Sequence, residues 1–315
     1  MTHPTPAIPR SVPDRLRWAI ADAWTVARRD LIHWFRQPFG IIVTLLFPVM
    51  LVLMFGYLFG GAISLPGGNA AGGGKYREFL MPGMFAMTMA FGLEATMTSV
   101  ATDAARGVTD RFRSMPMAPS AVVLGRSIAD MMSSALGLSV MIACGLLIGW
   151  RWHESIGQAL LAVGLLLLLR FSLLWVGIFL GLMVKSPEAV AAVQILIWPV
   201  LFLSNTFVAP ETMPGWLGAI SEWNPLSATV AATRELFGNP GWGGETWISQ
   251  NSLLLAVLWP TVIFAVFFPP LRQTLPASEP LTSDQGTGAL VTLPLCSSRC
   301  GSRASTRGIH RWQRA

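Results

Sequence analysis

The sequence predicts an all-α membrane protein of about six transmembrane helices, preceded by an N-terminal interfacial amphipathic helix. Three observations predict it. The first is composition. Of 315 residues, 53% are hydrophobic and only 12% are charged, with a mean hydropathy of +0.55. A soluble globular protein carries roughly 25% charged residues. So much apolar surface with so little charge needs lipid as its solvent. The second is a series of apolar runs, each long enough to cross a bilayer. The third is where the basic residues fall. With the N-terminus placed in the cytoplasm, 17 of the 22 Lys and Arg fall on the inner side and four (Lys75, Arg77, Arg151 and Arg234) on the outer side. The remaining one, Arg170, lies within a run. Basic residues concentrate on the cytoplasmic side of membrane proteins, so both termini are expected inside. The net charge of +6 then reports membrane orientation, and no nucleic-acid partner is expected.

Residues 1–13 hold four prolines (Pro4, Pro6, Pro9 and Pro13) and read as disordered. Over 14–38, Leu16, Ile20, Trp24, Ala27, Leu31 and Trp34 recur at spacings of three and four. Arg15, Arg17, Arg28, Arg29 and Arg36 supply the polar character, so the segment reads as a helix in the headgroup layer. A six-span domain is expected over 39–271. Its first span, 39–60, is uncharged and contains Pro48. The others are expected at 80–102, 127–150, 159–184, 189–208 and 252–271. Between the last two, residues 209–251 carry Trp216, Trp223, Trp242 and Trp247. Tryptophan favours the membrane–water interface, so this segment is expected to lie on the membrane as short helices. The tail, 272–315, is rich in Ser, Thr, Gly and Pro and reads as disordered.

Few residues offer chemistry. Asn69 to Tyr76 resembles a phosphate-binding loop, but such a loop needs Gly at the first position and Ser or Thr after the lysine. Asn69 and Tyr76 occupy those positions, and the segment falls outside. No nucleotide, other cofactor or metal is expected in this chain. Cys296 and Cys300 form a lone Cys-x-x-x-Cys, a weak metal signal. His3, His33, His153 and His310 lie at or beyond span ends, where no intramembrane catalytic pair emerges; no catalytic residue is assigned.

Two groups of residues stand out. The inner segment 103–116 concentrates Asp103, Arg106, Asp110, Arg111 and Arg113 around Gly107, Phe112 and Met115. A short helix ended by Pro116 would offer an apolar knob ringed by charge, suited to a groove on a soluble partner; a solvated inner turn obeying the positive-inside rule reads equally well. The second group is intramembrane: Glu94 in the second run and Arg170 in the fourth sit at comparable depth and can pair. A central arginine costs about 2.5–3.5 kcal/mol on insertion scales, so it faces protein or water. Packing and substrate binding are both open for that pair. Arg126 and Asp130, at i and i+4, are expected to form a local pair near the inner boundary.

The run from Glu94 through Arg106-Gly107, Asp110-Arg111-Phe112-Arg113-Ser114-Met115-Pro116-Met117 and Gly125-Arg126 to Asp130 resembles the permease subunits of ABC exporters. More narrowly, it is similar to type-two permeases of the daunorubicin and multidrug-resistance kind. Met213-Pro214-Gly215-Trp216-Leu217, Trp223-Asn224-Pro225-Leu226 and Thr233-Arg234-Glu235-Leu236 fit the same family in order. The resemblance covers roughly 15–270; the tail departs from it. It implies two permease copies, identical or paralogous, each docked through 103–116 as a coupling helix on a separate cytoplasmic ATPase that binds the ATP. It also implies outward movement of a hydrophobic or amphiphilic substrate, a drug, antibiotic or lipid-like molecule, across the bacterial plasma membrane. An exporter of polysaccharide or lipid-linked glycan is the neighbouring alternative. A proton-driven secondary transporter would show inverted repeats and interrupted helices around a midplane site, and neither is clear in this sequence.

Overall fold

The computed structural model describes residues 38–59, 73–106, 119–184, 186–208, 210, 213–241 and 246–274. The expected helix at 14–38, the glycine-rich outer loop, most of 103–116 and the tail beyond residue 274 lie outside the described residues.

The ordered elements among the described residues are all helices, as in an all-α membrane protein. Helix α1 (Pro38–Leu53) runs on as a π-helical stretch, Met54–Phe59. It is followed by α2 (Gly73–Ala105), α3 (Pro119–Ile148), α4 (Ile156–Met183) and α5 (Pro187–Phe202). The short helices α6 (Gly215–Trp223), α7 (Pro225–Phe237) and α8 (Trp247–Gln250) then lead into α9 (Ser252–Thr274). Tyr76–Ala105, Leu124–Ile148, Ile156–Met183 and Ser252–Pro269 are long and apolar enough to cross a bilayer, and Leu46–Tyr57 and Glu188–Phe202 are shorter apolar stretches.

Local chemistry sets the boundaries. A capping box opens α4: Ser155 Oγ accepts from the Gln158 amide at 3.4 Å, and Gln158 Oε1 accepts from the Ser155 amide at 3.1 Å. Helix α7 starts with Pro225 behind an Asn224 cap, whose Oδ1 accepts from the Leu226 amide at 2.9 Å. It ends at Gly238 in the left-handed region (φ 66°), where a Cβ would also lie 2.9 Å from Glu154 Cγ.

Helix α2 is the centre of the bundle. Phe79, Leu80, Met84, Phe85, Met87 and Met97 are fully buried along it. Lipid tails are as apolar as leucine, so helices associate in a membrane through close packing and polar contacts. The sequence provides for this on α4. A Cβ on Gly177 would lie 2.9 Å from the Leu93 carbonyl oxygen, and one on Gly181 2.8 Å from that of Met97. This small-residue stripe brings the α4 backbone against α2. On the far side of α4, Trp175 meets Phe264 and Phe268 of α9 edge-on at 5.7 and 5.0 Å.

One end of the bundle is tied by polar contacts. Arg77 donates to the Ile148 carbonyl at 2.9 Å and sits 5.2 Å from the Tyr57 ring centroid. Trp150 Nε1 donates to Asn239 Oδ1 at 2.9 Å, and the His153 amide donates to the Phe237 carbonyl at 2.9 Å. The end of α1, the start of α2, the α3–α4 turn and the end of α7 therefore share one level. It carries Arg77 and Arg151, two of the basic residues assigned to the outer side.

Two expectations are corrected here. The fifth span, expected over 189–208, is helical only to Phe202, and 16 residues reach about 24 Å against a hydrocarbon core of about 30 Å. The segment after it does not simply lie on the membrane surface. Helices α6 and α7 form a hairpin whose tip, Asn224, donates to the Val200 and Leu203 carbonyls at 2.7 and 3.0 Å. Those carbonyls belong to the end of α5, where a helix leaves its last acceptors unpaired. Helix α7 is buried against α2, α4 and α9, whereas Trp216 and Trp223 of α6 stay exposed in keeping with the interfacial expectation.

Gly181→Leu must separate α4 from α2 and is expected to destabilise the protein by about 1–3 kcal/mol. Gly164→Leu on the same helix meets open space and is expected to change stability by less than about 0.5 kcal/mol. Thermal unfolding of the detergent-solubilised chain, followed by fluorescence, compares them.

Candidate functional site

The candidate site is the end of the α2–α3 pair where Asp103 and Arg126 lie, expected on the inner side, because its connection carries the proposed coupling segment. Asp103 lies in the last turn of α2, and Arg106 is exposed just beyond it. Gly107, Asp110, Arg111, Phe112 and Arg113 lie outside the described residues. What is described is the base on which that segment stands.

Two polar stripes face each other across this base. Thr96, Ser99 and Asp103 recur at spacings of three and four on α2, and Arg126, Asp130 and Ser134 recur every four residues on α3. Each set occupies one helix face. Lowest on the seam, Arg126 donates to Asp103 and to Ser99 Oγ. One turn further in, Thr96 Oγ1 donates to Asp130 Oδ2 at 2.9 Å. Arg170 of α4 completes the seam. Its Nε donates to Ser134 Oγ at 2.7 Å and its Nη2 to Thr96 Oγ1 at 2.8 Å, with Asp130 Oδ2 at 3.9 Å.

The expected local pair of Arg126 with Asp130 is thus replaced by contacts across the helix interface. Side chains on a helix lean toward its N-terminus. Arg126, near the start of α3, therefore points toward the inner boundary, where Asp103 sits, and away from Asp130 one turn above.

The Glu94–Arg170 pair does not form either. Gly92 and Thr96 both face Arg170, and a Cβ on Gly92 would come within 2.6 Å of its Nε. Glu94 is two residues from each, about 200° round the helix, and points to the opposite side. There it lies beside Trp198 of α5, with Oε1 unpaired among the described residues. The charge that answers Arg170, 2% exposed, is Asp130. Hydrogen bonds to a charged group contribute about 1.5–3 kcal/mol each, enough for two of them to offset the insertion cost of the guanidinium.

Ser134, Thr96 and Ser99 received no part in the sequence reading of the site, and Asp130 only as the expected local partner of Arg126. A signal for them existed: two polar stripes of helical period inside apolar runs, on the two helices flanking one loop.

A second polar locus lies toward the opposite end of the bundle. Arg234, 1% exposed, donates from Nε to the Phe79 carbonyl at 2.9 Å and from Nη2 to the Asn205 and Thr206 carbonyls at 3.0 and 3.1 Å. Its guanidinium also lies 3.6 Å from the Phe79 ring centroid. This joins α7 to α2 and to the turn after α5. Gly83 permits the same approach from the α2 side, where a Cβ would fall 2.7 Å from Thr206 Cγ2. Beside it is a cavity of about 360 Å³ lined in part by Asn205, Glu222, Arg234 and Glu235. Among the described residues, no group of three His, Cys, Asp or Glu comes together to hold a metal.

The architecture can be set against known proteins. Residues 21–237 match the family described as ABC-2 type transporter. The chain is 34% identical over 245 residues to the daunorubicin resistance ABC transporter permease protein of Streptomyces coeruleorubidus, covering 77% of this chain and 84% of that one. It is 27% identical over 196 residues to a doxorubicin resistance ABC transporter permease protein of Mycobacterium tuberculosis, covering 61% and 64% respectively. With the family match spanning more than half its length, the chain belongs to the ABC-2 type transporter family.

Proposed function

We propose that this chain is the membrane-spanning permease subunit of an ABC exporter that moves a hydrophobic or amphiphilic molecule, such as a drug or antibiotic, outward. A separate cytoplasmic ATPase binds and hydrolyses the ATP, and a second permease copy completes the pathway. The chain sits in a bacterial plasma membrane with both termini cytoplasmic. The observation that carries this reading is the family match running through 21–237, and so across the charged 103–116 segment. Similarity to permeases named for daunorubicin and doxorubicin resistance supports the substrate class.

In this reading 103–116 docks on the ATPase and transmits its movement. Phe112 enters an apolar groove, and Arg111 and Arg113 meet acidic groups on its rim. Burying a phenylalanine contributes about 1.5–3 kcal/mol, whereas rim charges act mainly on association rate and orientation. Phe112→Ala is therefore expected to weaken association with the ATPase by about ten- to a hundredfold, and Arg113→Ala by much less. Both should insert normally. Co-purification of the ATPase with each variant, alongside efflux of ethidium, measures this. Full association and full efflux by Phe112→Ala would remove the docking role of the segment.

The orientation has its own test. In intact cells a membrane-impermeant maleimide is expected to label Gly241→Cys, at an exposed outer turn, and not Ala104→Cys, which is exposed at the inner end of α2. The reverse pattern would invert the topology.

A further inference from the structure

Three helices meet along the seam, and the seam begins at the foot of the 103–116 segment. Its rungs climb from Asp103–Arg126–Ser99 to Thr96–Asp130 and on to Arg170 and Ser134. From residue 103 to residue 96, α2 rises about 10 Å into the bundle. Polar side chains inside membrane helices are costly and cluster at places of function. The distribution of close contact gives this cluster a specific job. Helix α4 is already held against α2 by the Gly177 and Gly181 approaches, and needs no polar link for that. Along the same half, α3 meets α2 and α4 through the seam and through Met131, which packs against the cluster of Val100, Leu174, Trp175 and Ile178. At the outer end α3 is joined separately, through Arg77 to the Ile148 carbonyl and through Gly145 against Met81.

We propose that Ser99, Arg126, Thr96, Asp130 and Arg170 are positioning residues for transport: a polar strut that makes the two helices flanking the docking segment move as one body with α4. A push on the segment then displaces the inner halves of α2, α3 and α4 together. Without the strut, the push bends α3 away from α2 and is lost before it reaches the bundle. This inference rests on the reading of 103–116 as the docking segment. It differs from a purely structural role because it requires the α2–α3 link to be closed during the transport cycle while leaving its chemistry open: a covalent link in the same place serves as well.

The test uses the complete chain with its ATPase in vesicles, after replacing Cys144, Cys296 and Cys300 by serine. Thr96→Val with Arg126→Gln opens the strut. ATPase co-purification and ATP hydrolysis are expected to persist, while ethidium moved per ATP hydrolysed falls about tenfold. Arg126→Lys, which keeps the charge opposite Asp103, is expected to retain most of the native ratio. In a second chain, Ser99→Cys with Arg126→Cys is joined by a short, reducible thiol cross-linker. The unlinked chain is expected to be uncoupled and the linked chain to recover the native ratio, with reduction reversing the gain. Should the opened variant fail to assemble, the cross-linked chain decides alone, because the same molecules are compared before and after reduction. A native ratio in the opened or unlinked chain overturns the proposal, as does a linked chain that stays uncoupled. Failure of the native chain to hold any ATPase would instead overturn the proposed function.

Discussion

A guanidinium inside a bilayer must find its partners within the protein, and the placement of Arg170 organises the half of this one that carries the α2–α3 connection. Its three neighbours come from two other helices: Thr96 from α2, and Asp130 and Ser134 from α3. Arg170 is buried at 2% exposure, so α2, α3 and α4 have to converge on it at one depth and in one register. The glycine at position 92 belongs to the same constraint, since a side chain there would collide with the guanidinium. Gly177 and Gly181, two and three turns further along α4, keep the helix close enough to α2 for Arg170 to reach Thr96. Charge placement and small-residue packing therefore meet along one α2–α4 contact.

The outer half answers a different form of the same rule. Helix α5, at 16 residues, is shorter than a bilayer core is thick, with Pro199 in its last turns, and its terminal carbonyls would face an apolar environment. Asn224 and Arg234 supply donors to those carbonyls and to the turn that follows. A full hairpin, α6–α7, is folded inward to deliver them. Irregular backbone at membrane depth is tolerated where protein covers it, and here the cover comes from the segment that immediately follows the break. The two halves also differ in character. The inner seam joins side chain to side chain and involves opposite charges, whereas the outer locus joins a cation to backbone carbonyls and an aromatic face.

How much of this the sequence revealed depended on whether a feature was one-dimensional. The four long apolar helices were legible because bilayer thickness converts directly into run length, and α2, α3, α4 and α9 coincide with the apolar runs expected at 80–102, 127–150, 159–184 and 252–271. The end of α5 was not legible: Leu201 to Ala209 reads as a continuation of an apolar run, and only Ser204, Asn205 and Thr206 hint at a break. Helix α7 was misplaced for the opposite reason. Thr229, Thr233, Arg234 and Glu235 make it look like a surface helix, yet the first three turn inward. In lipid, a polar residue can be buried because the backbone needs it. The partners of Arg170 could not be chosen by depth alone, since Glu94 and Asp130 both qualify; the angle round α2 excludes Glu94, and reading that angle requires knowing which face of α2 meets α4.

The pairing of Arg170 is thus the point on which the account turns, and a pair of double-mutant cycles tests it most directly. Stability is measured for Asp130→Asn, Glu94→Gln and Arg170→Gln, and for each carboxylate change combined with Arg170→Gln. Asp130 and Arg170 are expected to be coupled by about 0.5–3 kcal/mol, because either single change leaves the other charge uncompensated. Glu94 and Arg170 are expected to add within about 0.5 kcal/mol. Additive behaviour of Asp130 with Arg170, and coupling of Glu94 with Arg170, would contradict the assignment and with it the seam.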